Sequence, residues 1–118
     1  KKIMKQTEID SGRLGGLGIS LPGIVDREKG ILIYAPYAGW ENVAVADYFK
    51  EELGIDKIRC ENDVNACAVG EIHFGLGKKY EDFIWMTVST GVGGEVVPRA
   101  ELLRGSRGFA GEFGHLKV

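Results

Sequence analysis

Three short stretches of this 118-residue chain carry groups suited to chemistry on a polar ligand. The first is Glu61-Asn62-Asp63, set between the strand-like triplet Ile58-Arg59-Cys60 and a run with helical periodicity. An amide beside a carboxylate can hydrogen-bond neighbouring hydroxyls of a sugar, and the carboxylate can also accept a proton. Open α/β sheets place their ligands at such strand-to-helix junctions, beyond the carboxyl ends of the strands. The simpler structural alternative is that Asp63 caps a helix starting at Val64, and the triplet by itself favours the cap.

The second stretch is Ser89-Thr90-Gly91-Val92-Gly93-Gly94, which follows the hydrophobic run Phe83 to Val88. Glycines let a backbone come close to a phosphate, and successive N–H groups can surround its oxygens. No Lys-Ser/Thr closes the stretch and no helix follows, so it is not a P-loop. A hairpin turn would use the same glycines. The third is Gly105-Ser106-Arg107-Gly108-Phe109-Ala110-Gly111-Glu112-Phe113-Gly114-His115, with an acid and a histidine three residues apart. Glu112 and His115 suit a bound sugar, and His115 suits a metal; the plain alternative is a surface loop. His73, inside a helical run with no obvious acidic partner, reads as structural.

The elements that must position these groups follow from periodicity. Lys1 to Ile9 reads as the end of a helix. Leu17 to Leu21 reads as a buried strand stopped by the Pro22-Gly23 turn, and Ile31 to Tyr34 as a second strand ended by Pro36. Val43 to Leu53 has helix spacing, with Asn42 as N-cap and Gly54 as stop. Ile58 to Cys60 is a short strand, Val64 to Phe74 a helix ended by Gly75, and Phe83 to Val88 a strand. That last strand is expected to break at Gly91 to Gly94, resume through Val96 and Val97, and be paired by Glu101 to Leu103. His115 to Val118 is expected to open one more strand. Mixed elements of these lengths give the α/β class.

Composition narrows the function classes. A net charge of −2 with scattered lysines and arginines argues against a nucleic-acid surface. No apolar run is long enough to span a bilayer and no signal-peptide pattern opens the chain, which places the expected protein in the cytoplasm. The two cysteines, Cys60 and Cys67, have neither zinc-knuckle nor redox spacing and are expected to be buried thiols. Glycine is the outlier, with 18 residues clustered in what read as tight loops.

In this order, Leu17-Gly18-Ile19-Ser20-Leu21-Pro22-Gly23-Ile24-Val25-Asp26, Gly39-Trp40, Glu61-Asn62-Asp63-Val64-Asn65-Ala66, Ser89 to Gly94 and Arg104 to His115 strongly resemble the ROK family (repressors, open reading frames and kinases). The likeness runs from about Gly15 onward, and several unrelated loops agreeing in order is far more specific than any one of them. The resemblance implies a partial actin-like ATPase (ribonuclease H-like) fold spanning parts of two lobes. Residues 1–61 would be the second half of the small lobe, and residues 62–118 the start of the large one. It implies ATP-dependent phosphorylation of a hexose, of glucokinase or fructokinase type, with Asp63 as catalytic base. Asn62, Glu112 and His115 would contact the sugar alongside Asp63, and Thr90, Gly91, Gly93 and Gly94 would lie against the ATP phosphates. Mg²⁺ would accompany the nucleotide, and His115 would be one ligand of a structural zinc in a longer protein.

The departures carry equal information. The family's Asp-x-Gly-Gly-Thr phosphate loop and its cysteine-rich zinc motif are absent from these residues. The resemblance therefore implies an internal fragment, inactive alone, with an open apolar lobe surface that another chain covers or that makes the fragment poorly soluble. Glu95 stands where the family usually has a glycine; a carboxylate there either turns away from bound phosphates or weakens nucleotide binding. The expected partners are a hexose, ATP and a further copy of the chain, with nucleic acid only if an upstream DNA-binding domain exists. The alternative is the sugar-sensing part of a ROK-type transcriptional repressor. Retention of Asp63 and most of the phosphate glycines favours the kinase. A generic α/β interaction module, whose glycines are only turns, ranks last.

Overall fold

Leu17, Ile19 and Leu21 recur at every second position, the period that turns one strand face inward. The computed structural model describes residues 2–106 and 108–117, and in it these three side chains are the half-buried face of β1 (Leu17–Leu21) while Gly18 and Ser20 are exposed. β5 (Ile58–Asn62) runs parallel to β1 in unbroken register from Leu17↔Ile58 to Leu21↔Asn62. It extends two residues beyond the expected triplet, so Asn62 ends a strand. Ile58 and Cys60 are its buried positions.

Between these strands the chain builds an antiparallel sheet ordered β2 (Ile24–Asp26), β3 (Ile31–Ala35), β4 (Trp40–Ala44). Only β3 was legible in the sequence. β2 has three residues, too few for a period, and β4 opens on three exposed positions, Trp40, Glu41 and Asn42. Asn42 is therefore not a helix cap: it lies in β4 with a left-handed φ of 51°. The helix α2 starts at Val45 rather than Val43, because Val43 and Ala44 are held extended opposite Leu32 and Ile31 of β3. Ladder hydrogen bonds already made by β3 outweigh the helical spacing of two residues. α2 (Val45–Leu53) ends as expected at Gly54, whose φ of 67° is left-handed and whose N–H donates to the Lys50 carbonyl at 2.8 Å. Leu32, Ala35, Val45, Ile55, Ile58 and Cys60 form the buried core, with Leu17, Ile19, Leu21, Phe49 and Leu53 packed around it.

The chain divides into two compact units, residues 1–62 and 63–118. The second unit begins with helix α3 (Asp63–Phe74), followed by the hairpin β6 (Phe83–Val88) and β7 (Val92–Val97). The hairpin is antiparallel in regular register from Phe83↔Val97 to Val88↔Val92. The glycine stretch thus does not break the strand: Gly93 and Gly94 are inside β7, and only Ser89, Thr90 and Gly91 turn. On the face shared by Phe83, Trp85 and Thr87 with Gly93, Glu95 and Val97, the side chains are half to fully buried. On the other face Ile84, Met86, Val88 and Val92 are exposed, Val88 by 77%.

Three further expectations are corrected. Residues 101–103 form no strand and return to β7 through one bond, from the Leu103 N–H to the Val96 carbonyl at 2.9 Å. His115 opens no strand; Phe113–His115 is a 3-10 turn closed by the Leu116 N–H on the Phe113 carbonyl at 3.2 Å. Cys67 is exposed, on the outward side of α3, and only Cys60 is buried. The expected helix end at Lys1 to Ile9 is α1 (Lys2–Gln6). Lys1, Arg107 and Val118, which the expected helix, glycine-rich loop and last strand included, lie outside the described residues. No helix among the described residues is long and apolar enough to cross a membrane.

Candidate functional site

Asp63 is the first residue of α3, and its Oδ1 accepts the backbone N–H of Val64 at 3.1 Å. The bond satisfies one of the orphan donors of the helix start and holds the carboxylate at that end of the helix. A capping contact and a chemical role are compatible here, because a carboxylate has a second oxygen. Asn62 ends β5 in the first unit. Its Nδ2 donates to the Gly23 carbonyl at 3.0 Å, and its own N–H donates to Glu61 Oε1 at 3.1 Å.

Within the second unit, β7 is the anchor for the other candidate residues. A side chain at Gly93 would meet Val64 Cγ2 at 2.9 Å, so the residue next to Asp63 packs directly on the strand. A side chain at Gly94 would collide with the Phe113 ring, the residue after Glu112. Gly111 would collide with the Gly94 carbonyl, and Gly114 with that of Val92. The start of α3, the tip at Thr90-Gly91 and the turn carrying Glu112 and His115 are thus all fastened to residues 92–94. Because Gly93 and Gly94 point to opposite faces of the strand, α3 and the 3-10 turn bear on β7 from its two sides.

The six glycine-stretch residues have different duties. Gly93 and Gly94 are required by close packing of Val64 and Phe113. The Ser89 N–H is already bonded to the Gly91 carbonyl at 2.8 Å. Thr90 and Gly91 are exposed at the tip, and a side chain at Gly91 would meet nothing within 4 Å. The tip therefore leaves backbone open to a phosphate, whereas Gly93 and Gly94 fit one only by supporting it from behind. Glu95 lies on the Gly93 face, 4% exposed, so its side chain is turned into the unit and away from solvent.

His115 and Glu112 are both exposed and stand 3.8 Å apart, Nε2 to Oε2. Among the described residues no group of three or more His, Cys, Asp or Glu side chains gathers as a metal site. A structural zinc needs four ligands, more than these residues bring together, and zinc enters no step below. Sequence reasoning missed Val64 and Phe113, the two apolar side chains that seat the candidate loops. Both adjoin a quoted polar residue, and the paired glycines opposite them were the available signal.

The family model described as the ROK family matches residues 1–118. A xylose repressor of Caldicellulosiruptor bescii is 35% identical over 118 residues, covering 100% of this chain and 29% of its own. A glucokinase of Thermotoga maritima is 40% identical over 103 residues, covering 86% of this chain and 32% of its own. The chain thus spans about a third of the length of such relatives. Among solved structures, a ROK family transcriptional regulator homologous to the E. coli MLC protein superposes with a TM-score of 0.82 at 26% identity, over 99% of this chain and 30% of that one. A Streptomyces griseus ROK family glucokinase, in complex with glucose and AMPPNP, superposes with a TM-score of 0.76 at 37% identity, over 87% and 33%. The α/β fold is therefore part of the actin-like ATPase fold of such proteins.

Proposed function

We propose, from the premise that this chain belongs to the ROK family, that it is the sugar- and phosphate-contacting segment of an ATP-dependent hexose kinase. The observation that carries this reading is the common anchorage on Val92, Gly93 and Gly94 of the Asp63 helix start, the Thr90-Gly91 tip and the Glu112–His115 turn. An acid, a sugar-binding turn and an open backbone tip are the parts phosphoryl transfer needs, since it depends on positioning and charge neutralisation rather than covalent catalysis.

In this reading Asp63, with Oδ1 oriented by the Val64 N–H, accepts the proton of the attacking sugar hydroxyl through Oδ2. Asn62, Glu112 and His115 hydrogen-bond other hydroxyls of the hexose and set which one faces the nucleotide. The backbone of Thr90 and Gly91 takes the phosphates, with Gly93 and Gly94 allowing α3 and the 3-10 turn to pack closely on the two faces of β7. Mg-ATP, when bound, supplies the phosphoryl group and the cation that screens its charge. Burial of Glu95 removes its carboxylate from the exposed tip, which is how the strand tolerates an acid two residues beyond Gly93. Residues 1–61 would belong to the small lobe and residues 62–118 to the large one.

The test is Asp63→Ala in the full-length kinase. Phosphorylation of hexose should fall by about 10²–10⁴ while sugar binding stays measurable by calorimetry. Unchanged turnover would remove Asp63 from the base role. The second reading, a sugar-sensing segment of a repressor, is supported by the xylose repressor that matches the entire chain. A basic winged helix encoded upstream would favour it; an upstream Asp-x-Gly-Gly-Thr loop without one would favour the kinase.

A further inference from the structure

Pro22 and Gly23 form the turn that leaves β1, and two side chains from distant parts of the chain hold its consecutive carbonyls. The Tyr37 Oη donates to the Pro22 carbonyl at 2.5 Å, and Asn62 Nδ2 donates to the Gly23 carbonyl at 3.0 Å. Gly23 has a φ of 136°, and any side chain there would strike the Tyr34 carbonyl. A residue with that backbone freedom does not hold its own conformation, so the turn depends on what grips it.

Tyr37 is placed for this by a turn of its own. The β3–β4 loop is Pro36-Tyr37-Ala38-Gly39, closed by the Ala38 N–H on the Ala35 carbonyl at 3.1 Å and the Gly39 N–H on the Pro36 carbonyl at 3.3 Å. Proline at the second position presets that turn. The ring then stands out from the sheet, 69% exposed, with its hydroxyl spent on Pro22 rather than on water alone. A ring so exposed contributes little to the core, which points to a role at the turn.

We propose that Tyr37 is a positioning residue for Asn62. By pinning Pro22 it fixes the neighbouring Gly23 carbonyl, and that carbonyl fixes the plane of the Asn62 carboxamide that meets the sugar. The inference deepens the kinase reading and rests on its assignment of Asn62 to sugar contact.

The experiment uses the full-length protein, with glucose, fructose, mannose and xylose as probes. Direct binding is measured by calorimetry and phosphorylation by a coupled assay, for Tyr37→Phe, Asn62→Ala and the double variant. Losing one hydrogen bond predicts a Kd and KM raised about three- to tenfold in Tyr37→Phe, with kcat changed by less than about twofold because Asp63 is untouched. In the Asn62→Ala background Tyr37→Phe should have no further effect on Kd, since the relay is already cut. Tyr34→Phe, which removes a phenolic hydroxyl from β3, should bind like the wild type. Tyr37→Phe binding as tightly as the wild type, or its effect adding in full to that of Asn62→Ala, overturns the inference and leaves the kinase reading intact. A wild type that binds sugar without phosphorylating it overturns the kinase reading, and the inference is then decided on Kd alone. A wild type that binds and phosphorylates none of these sugars overturns both.

Discussion

Replacing Gly94 by alanine sets two opposed effects against each other, and the structure decides between them. Glycine inside a strand costs about 0.5–1 kcal/mol relative to alanine, so the change would ordinarily stabilise. Here an added Cβ collides with the Phe113 ring, lying 2.7 Å from Cε2, and stands 3.0 Å from the Trp85 carbonyl. Comfortable carbon contacts begin near 3.5 Å, so the ring has to retreat by about 1 Å. It has little freedom to do so, because Gly111 already touches the Gly94 and Glu95 backbone and Gly114 touches that of Val92. Overpacking of this kind costs about 1–3 kcal/mol, and the net change is a loss of roughly 0.5–2 kcal/mol. A displacement of Phe113 carries Glu112 and His115 with it, and about 1 Å of misplacement at a binding turn can cost up to about 10² in activity. Urea denaturation and sugar calorimetry on the full-length protein measure the two consequences. Gly91→Ala is the control, since nothing lies within 4 Å of its added carbon. It should leave stability within about 0.5 kcal/mol and sugar affinity unchanged, while raising the KM for ATP. Gly94→Ala as stable as the wild type, with unchanged sugar affinity, would refute the claim that β7 seats the turn proposed to contact sugar.

Three other predictions concern the first unit and the cysteines. Leu32 is 1% exposed at the centre of the core, so Leu32→Ala should cost about 2–5 kcal/mol, read as a lower urea midpoint. Cys60 is buried and its thiol is pushed above its ordinary value near 9.0 by desolvation, whereas Cys67 is exposed. A disulfide-exchange reagent at pH 8 should label Cys67 fast and Cys60 only on unfolding, and Cys67→Ser should abolish the fast phase. Because the folded state favours the protonated Cys60 thiol, its contribution to stability is whole below pH 9 and declines as pH rises through the higher folded value. A Cys60→Ala variant should show a shallower loss of stability above pH 9.

The amino-acid order alone determined the elements whose pattern is local and strong. Leu17 to Leu21 alternates at the strand period, Phe83 to Val88 is an apolar run of strand length, the helix from Asp63 is bounded by its acidic first residue and by Gly75, and the stop at Gly54 needs only its left-handed φ. The polar residues proposed for the site could be named only through the order of several loops together, since singly Asp63 reads as a helix cap and Glu112 with His115 as a surface loop. Tertiary structure decided what depends on a partner strand or a distant carbonyl. Pairing with β3 turned Asn42 from a cap into a strand residue. Pairing with β6 turned Gly93 and Gly94 from a loop into strand positions kept bare for Val64 and Phe113. The link from Tyr37 through Pro22 and Gly23 to Asn62 joins residues far apart in the chain. No local period encodes such a contact, since it exists only once β1, β3 and β5 have brought those residues together.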